Sequence, residues 1–205
     1  MDVKLLRIDS RLVHGQVANN WAGSLGAEAI LAVSDGAAND ELRKTLMLQT
    51  GGGKVKVHVL GVEKAARVYK NPKYETLKAV IVVETPADIV RLLDLGVEAK
   101  EVNVGGMTFK QGTSQVSQAV YASPADVEAF KEIDSRGIKQ YIQQVPSTAS
   151  SDLMGPSRRR ACSKGAAPSP HLPQTPPSRH PSVVGSAGVS CQPSHERDIP
   201  CMTSI

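Results

Sequence analysis

The sequence predicts an α/β fold: an open, mostly parallel twisted sheet of about seven strands with helices on both faces. Three observations predict it. Short β-rich runs alternate with amphipathic segments through residue 145, the order that a parallel sheet with helical crossovers requires. Two segments, Thr85-Pro86-Ala87-Asp88 and Ser123-Pro124-Ala125-Asp126, carry the chemistry of helix starts: a hydroxyl that can cap, proline at the first helical position, and an acid facing the positive end of the dipole. Gly96 and Gly137 supply the matching stops.

In chain order, strands are expected over residues 3–8, 29–34, 55–60, 79–84, 101–105, 116–122 and 138–145, with helices in the gaps. The helix after the third strand lines up Val62, Ala65, Ala66 and Tyr69. The helix opened by Thr85 lines up Ile89, Leu92 and Leu93, and the one opened by Ser123 lines up Val127, Phe130 and Ile133. Stripes of this kind are core faces. From Gly155 onward, "GPSRRRACSKGAAPSPHLPQTPPSRHPSVVGSAG" has no period and fills with Pro, Ser and Gly, with too little apolar material to offset the entropy of ordering it. The chain therefore divides into a folded domain, residues 1–154, and a low-complexity tail, residues 155–205, expected to be disordered. The abrupt change fits a foreign or frameshifted terminus, and a natural low-complexity tail equally.

Composition excludes several function classes. Residues 1–154 balance Lys+Arg against Asp+Glu, so the net charge of +4 belongs to the tail. A neutral body gives no electrostatic reason to expect nucleic acid as a partner. All three cysteines, nine of the thirteen prolines and none of the seven aromatic residues lie in the tail, which leaves the body without a disulfide framework. That suits a reducing cytoplasm. The N-terminus, MDVKLLRIDSRLVHG, lacks the apolar run of a signal peptide, and the longest apolar run, residues 79–83, is far too short to cross a bilayer. A cytoplasmic protein that does not itself span a membrane is expected.

Ligands of an open α/β sheet gather beyond the carboxyl ends of the strands, where crossover direction reverses. The loops concerned here are 9–15, 35–38, 84–86 and 105–113. The first belongs to Arg7-Ile8-Asp9-Ser10-Arg11-Leu12-Val13-His14-Gly15-Gln16-Val17. His14 stands just before the helix carrying Val17 and Trp21, so a group on its ring would meet the free N–H groups of a helix start, an arrangement that favours an anion. Arg7 and Arg11 add charge that deprotonation does not remove and a planar fork that matches phosphate oxygens. Two fixed cations also disfavour a third charge on the imidazole and leave its lone pair available for attack. The set suits a histidine that accepts and releases a phosphoryl group, although spacing alone favours a surface-loop histidine with satisfied hydrogen bonds.

The loop RIDSRLVHGQV closely resembles the active-site loop of the IIB subunits in the mannose/fructose/sorbose family of the bacterial phosphotransferase system. VSDGAANDELRKTL (33–46), RVYKNPKYE (67–75), VNVGGMTFKQG (102–112) and DVEAFKEIDSRGI (126–138) resemble later segments of that family in the same order, so the likeness spans residues 1 to about 154. The resemblance implies an open, mainly parallel sheet and a phosphocarrier. A phosphohistidine on a IIA protein would pass its phosphoryl group to Nδ1 of His14, and membrane IIC and IID subunits at the inner face of the membrane would present the hexose-type sugar that receives it. It further implies that Arg11 contacts the phosphoryl group, that Arg7 lies close by, and that Gly105-Gly106-Met107 borders the site.

On this scheme the N–H groups of Ser10, Arg11, Leu12, Val13 and His14 form an anion cradle and Arg11 acts as the charge clamp. Asp9 orients the loop or pairs with an arginine. No metal or cofactor is required. No IIA domain precedes Met1, so the donor is expected to be a separate polypeptide.

The competing expectation is a regulatory protein that docks a IIA-like partner without passing phosphate onward. Nucleic-acid binding through Arg158-Arg159-Arg160 rests on a run of three residues only. Cys191, His195 and Cys201 lack the spacing of a zinc finger. Gly51-Gly52-Gly53 precedes a strand and lacks the Walker lysine pattern, so it reads as a turn. His58 reads as an ordinary strand histidine. Asp35 and Glu84 stand on the correct edge of the sheet as second-rank candidates that could equally be helix-start acids.

Overall fold

Strand β1 (Asp2–Asp9) runs through the middle of the sheet, with its last five residues buried. A π-helical stretch, Gln16–Trp21, follows it and continues into the short helix α1 (Ala22–Ser24). Next come β2 (Ala29–Val33), α2 (Asp35–Ala38), α3 (Glu41–Thr50), β3 (Lys56–Leu60) and α4 (Val62–Lys70). A single 3-10 turn, Pro72–Tyr74, leads to β4 (Lys78–Val83), α5 (Pro86–Asp94) and β5 (Glu101–Gly106). The last described elements are β6 (Ser114–Ser117), β7 (Val120–Ala122), α6 (Pro124–Ser135), β8 (Lys139–Ile142) and β9 (Ser151–Asp152). This computed structural model describes residues 1–155; the expected tail, with its cysteines, His195 and the arginine run, lies outside the described residues.

Seven strands form one sheet in the order β3-β2-β4-β1-β5-β8-β9, parallel throughout except for the last pair. Alternation along β1 sends Leu6 and Ile8 into one core layer and Leu5 into the other. The Leu6 layer is filled by the expected stripes: Val62, Ala65 and Ala66 of α4, Ile89 and Leu92 of α5, and Phe130 and Ile133 of α6. The Leu5 layer takes Val17, Ala18 and Trp21 of the π-helical stretch, together with Ala37 and Met47. Two buried layers explain why the central strands read as unbroken apolar runs.

The expected helix boundaries follow from their caps. Thr85 Oγ1 accepts from the N–H of Asp88 at 3.3 Å, and Ser123 and Asp126 form a reciprocal capping box at the start of α6. Gly96 and Gly137 close α5 and α6 at φ of 80° and 76°, a left-handed conformation that favours glycine.

The strand expected over residues 116–122 is corrected. That stretch folds back on itself as the antiparallel pair β6–β7, apart from the main sheet. Ser114, Gln115, Ser117 and Gln118 are polar on both faces and cannot lie inside a sheet buried on both sides, whereas Val120 and Ala122 pack into the core. The ribbon is tethered to the end of β5 by Met107, whose N–H donates to Ala119 O at 2.9 Å and whose carbonyl accepts from Tyr121 N–H at 3.0 Å. The seventh strand of the main sheet is β9, two residues long and without a recognisable pattern.

From β1 the chain crosses toward β2, and from β5 it crosses the other way toward β8. Connections that part between neighbouring strands leave a crevice at their carboxyl ends. Asp9 stands there, beside Gly106.

Candidate functional site

Arg7 and Asp9 share the β1 face that carries Leu5, and both are completely buried. A buried arginine needs acceptors for its donors. Nη1 donates to Asn103 Oδ1 and, at 3.0 Å, to Gln143 O; Nη2 donates to Asp9 Oδ2 at 3.0 Å and to Gln144 O at 3.2 Å. The guanidinium carbon lies 5.4 Å from the centre of the Trp21 ring, within cation–π range. Trp21 Nε1–H donates to the same Gln144 carbonyl at 2.9 Å. Burial draws the Arg7 pKa below its usual value, opposed in part by the Asp9 charge.

Asp9 is the hub of the loop. Its Oδ2 accepts from Arg7 Nη2 and from His14 Nε2, each at 3.0 Å, while Oδ1 accepts the Arg11 N–H at 3.2 Å and Arg11 Nε at 3.4 Å. Burial alone would raise this carboxyl, but the hydrogen bond from His14 and the charge of Arg7 lead the contributions that hold it below the ordinary aspartate range. It is therefore ionised and can only accept. Facing an acceptor, His14 Nε2 is the ring nitrogen that donates, so in the neutral ring the lone pair falls on Nδ1.

The expectation that the arginines control the ring is thereby corrected. The charged group within hydrogen-bond distance of His14 is the carboxylate, and Arg7 acts on that carboxylate from beneath.

The turn that brings His14 back over Asp9 is closed by the Leu12 N–H donating to Asp9 O at 2.8 Å. Leu12 holds φ of 56°, which costs a residue with a side chain about 1–2 kcal/mol. Its fully buried side chain packs in the layer of Val13 and Val17, and that burial offsets the strain.

Other expected site residues are distributed differently from the anion cradle that the sequence suggested. The N–H groups of Ser10, Arg11 and Leu12 are committed to Gly106 O, Asp9 Oδ1 and Asp9 O, so a cradle cannot use them without breaking those bonds. Ser10 Oγ accepts from the Thr108 N–H at 3.1 Å and lies 3.2 Å from Thr108 Oγ1, joining the β1 and β5 loops. Gly106 faces the crevice: a Cβ there would come 3.9 Å from Arg11 Nη2 and 4.0 Å from Asp9 Oδ1. Gly105 instead lies under the Arg7 guanidinium, and Met107 packs its side chain into the core. The Arg11 side chain is 52% exposed. The His14 side chain is 19% exposed.

Asp35 and Glu84 are engaged elsewhere. Asp35 receives the Val62 N–H and Arg91 Nη1, and Glu84 receives Ser34 Oγ and Arg43 Nη2. His58 is exposed on β3, an edge strand, three positions from β1. Among the described residues there is no cluster of three or more His, Cys, Asp or Glu side chains suited to a metal ion. No helix among them is long and apolar enough to cross a membrane.

Sequence reasoning missed Asn103, Thr108, Trp21 and the carbonyls of Gln143 and Gln144. Asn103 left a signal, an amide between Val102 and Val104 in a strand otherwise apolar at its centre. The carbonyls left none, because any residue supplies one.

An imidazole at the switch point of a doubly wound sheet, hydrogen-bonded through one nitrogen, is chemically suited to nucleophilic group transfer through the other. Residues 3–163 match the family model described as the phosphotransferase-system sorbose subfamily IIB component. A fructose-specific EIIB component of Bacillus subtilis is 40% identical over 154 residues, covering 75% of this chain and 94% of that protein. A mannose-specific EIIAB component of Escherichia coli is 42% identical over 154 residues, covering the same share of this chain but 48% of that longer protein. The crystal structure of the IIBSor domain of the sorbose permease from Klebsiella pneumoniae superposes with a TM-score of 0.72 at 36% identity, covering 75% of this chain and 94% of that one. The chain belongs to the sorbose subfamily of IIB components of the phosphotransferase system, which are sugar phosphotransferases.

Proposed function

We propose that this chain takes a phosphoryl group onto His14 Nδ1 from a phosphorylated IIA protein and passes it to a hexose-type sugar during uptake through membrane IIC and IID subunits. The observation that carries this reading is the 3.0 Å hydrogen bond between His14 Nε2 and Asp9 Oδ2, which leaves Nδ1 as the nucleophile. In the first step the Nδ1 lone pair attacks phosphorus in line with the donor's P–N bond. That bond breaks, its electron pair returns to the donor imidazole, and the His14 ring, now bonded to phosphorus, carries positive charge opposite Asp9. In the second step a sugar hydroxyl attacks phosphorus, the His14 bond breaks back to Nδ1, and the hydroxyl proton is released.

The protein's part is positioning and charge stabilisation. In this reading Arg11, half exposed, meets the equatorial oxygens with its guanidinium. The N–H groups of Val13 and His14 serve as the cradle. Arg7 supplies no direct contact and instead keeps Asp9 ionised. The same reading puts the protein in the cytoplasm, at the inner face of the membrane when IIC and IID are engaged, and sets the domain boundary near residue 154.

The test is phosphoryl incorporation from phosphoenolpyruvate through the general transfer proteins and a cognate IIA, followed by intact mass and acid lability. One acid-labile modification, lost in His14→Ala, is expected. No modification with a competent donor would leave a protein that docks IIA without carrying phosphate.

A further inference from the structure

Gly105 holds a place that no other amino acid could take without moving Arg7. A Cβ built on it would sit 1.8 Å from Arg7 Nη2, 1.9 Å from Cζ and 2.4 Å from Nε, so its three nearest neighbours all belong to one guanidinium. Gly105 is not among the residues with positive φ, so its backbone does not itself demand glycine. The demand comes from Arg7, whose side chain crosses from β1 over the backbone of the neighbouring strand to reach Asn103 Oδ1 and the carbonyls of Gln143 and Gln144. Above it Trp21 covers the guanidinium and shares the Gln144 carbonyl. Arg7 Nη2 then meets the Asp9 oxygen that also receives His14 Nε2.

We propose that Gly105 is a positioning residue for His14, acting through Arg7 and Asp9: the bare backbone is the floor, and Trp21 the cover, of a slot that fixes the guanidinium and with it the carboxylate that selects the imidazole tautomer. The proposal deepens the carrier reading and assigns Gly105 no contact with the phosphoryl group. A floor that is too high displaces Arg7, loosens Asp9, and lets the ring proton redistribute between Nε2 and Nδ1. Each ring protonated on Nδ1 lacks the nucleophilic lone pair at that atom. A small displacement remote from the reacting atoms is sufficient to slow transfer by up to roughly 100-fold.

The experiment uses the full chain with 15N-labelled histidine in four forms: wild type, Gly105→Ala, Arg7→Lys and the double variant. The tautomer of His14 is read from the 15N shifts of its two ring nitrogens. Phosphorylation by phosphoramidate, a small donor that needs no protein partner, is followed by intact mass. Wild type is expected to hold the proton on Nε2, whereas Gly105→Ala shows both tautomers and phosphorylates up to roughly 100-fold more slowly.

In the Arg7→Lys background, where a flexible ammonium can step aside from the new methyl while still facing Asp9, adding Gly105→Ala is expected to change neither readout. An unchanged tautomer and rate in Gly105→Ala alone would overturn the proposal, as would an equal cost of Gly105→Ala in both backgrounds. If Gly105→Ala does not fold, thermal melting of the double variant decides: a folded double variant supports collision with Arg7, and an unfolded one overturns it. A wild type that takes no phosphoryl group from the donor sinks the carrier reading alone, because the tautomer readout still judges Gly105.

Discussion

A single oxygen, Oδ2 of Asp9, receives both His14 Nε2 and Arg7 Nη2 at 3.0 Å. It joins a ring that is open to solvent on one side to a cation that never meets water. The ring thus shares its acceptor with a charge pair in the interior, and changes at either end of that pair reach His14.

Asp9→Asn removes the charge and offers the ring an amide that can donate as well as accept. Phosphorylation of His14 is expected to slow by roughly 10- to 100-fold, the scale seen when a group that orients a functional histidine is lost. The rate comes from time-resolved intact mass with the same phosphoryl donor. A rate equal to wild type would remove Asp9 from the mechanism.

Asp9 also makes stability depend on pH with a definite sign. Its carboxyl lies below the ordinary range in the folded protein, so the unfolded chain binds that proton more readily. The stabilisation is fully present above the unfolded carboxyl pKa of about 4 and is lost as pH falls through the lower folded value. Urea midpoints measured from pH 7 downward should fall less steeply in Asp9→Asn than in wild type. At neutral pH the variant should be less stable by about 3–5 kcal/mol, because Arg7 stays buried without its counter-charge. Parallel curves would show that the pair is not what acid disrupts.

Arg11 separates chemistry from stability. Its side chain is half exposed, so Arg11→Lys should change unfolding free energy by less than about 0.5 kcal/mol. Transfer should nevertheless slow, because a point charge replaces a planar fork. Full transfer activity in the lysine variant would assign the clamp to another group.

Leu12 should invert a familiar order. At most positions glycine is less stable than alanine, but at φ of 56° alanine keeps the backbone penalty and glycine sheds it. Leu12→Ala should lose about 2–5 kcal/mol of stability through the emptied core position, and Leu12→Gly should lose about 1 kcal/mol less. Thermal or urea unfolding of the two variants ranks them directly, and alanine ranking above glycine would place the strain elsewhere.

What could be read from the chain is what depends on neighbours in sequence. The caps at Thr85 and Ser123, the glycine stops and the apolar stripes are local, and they place α5 and α6 with the correct core faces. The Asp9–His14 loop could be singled out as a candidate from its residue types, but that its N–H groups are spent on Gly106 and Asp9, and that Asp9 rather than an arginine meets His14, could not be read from them. The role of Gly105 was not legible either, because it depends on a side chain from a strand nearly a hundred positions earlier. The folding back of residues 114–122 turned on a contest between β propensity and the cost of burying Ser114, Gln115, Ser117 and Gln118. Only the packed sheet settles that contest.

Arg7 Nη1 and Nη2 donate to carbonyls 136 and 137 positions later in the chain, and Trp21 Nε1–H donates to one of the same carbonyls from 123 positions away. Contacts of such separation close late, because the entropy of a long loop must be overcome first. A chain emerging from the ribosome therefore presents its histidine loop early but lacks Gln143 and Gln144, two of the groups that hold Arg7 in place. Until they arrive, Arg7 lacks two of its acceptors, so the pair that holds the histidine loop is completed only after the strand and helix that precede residue 143 have been made.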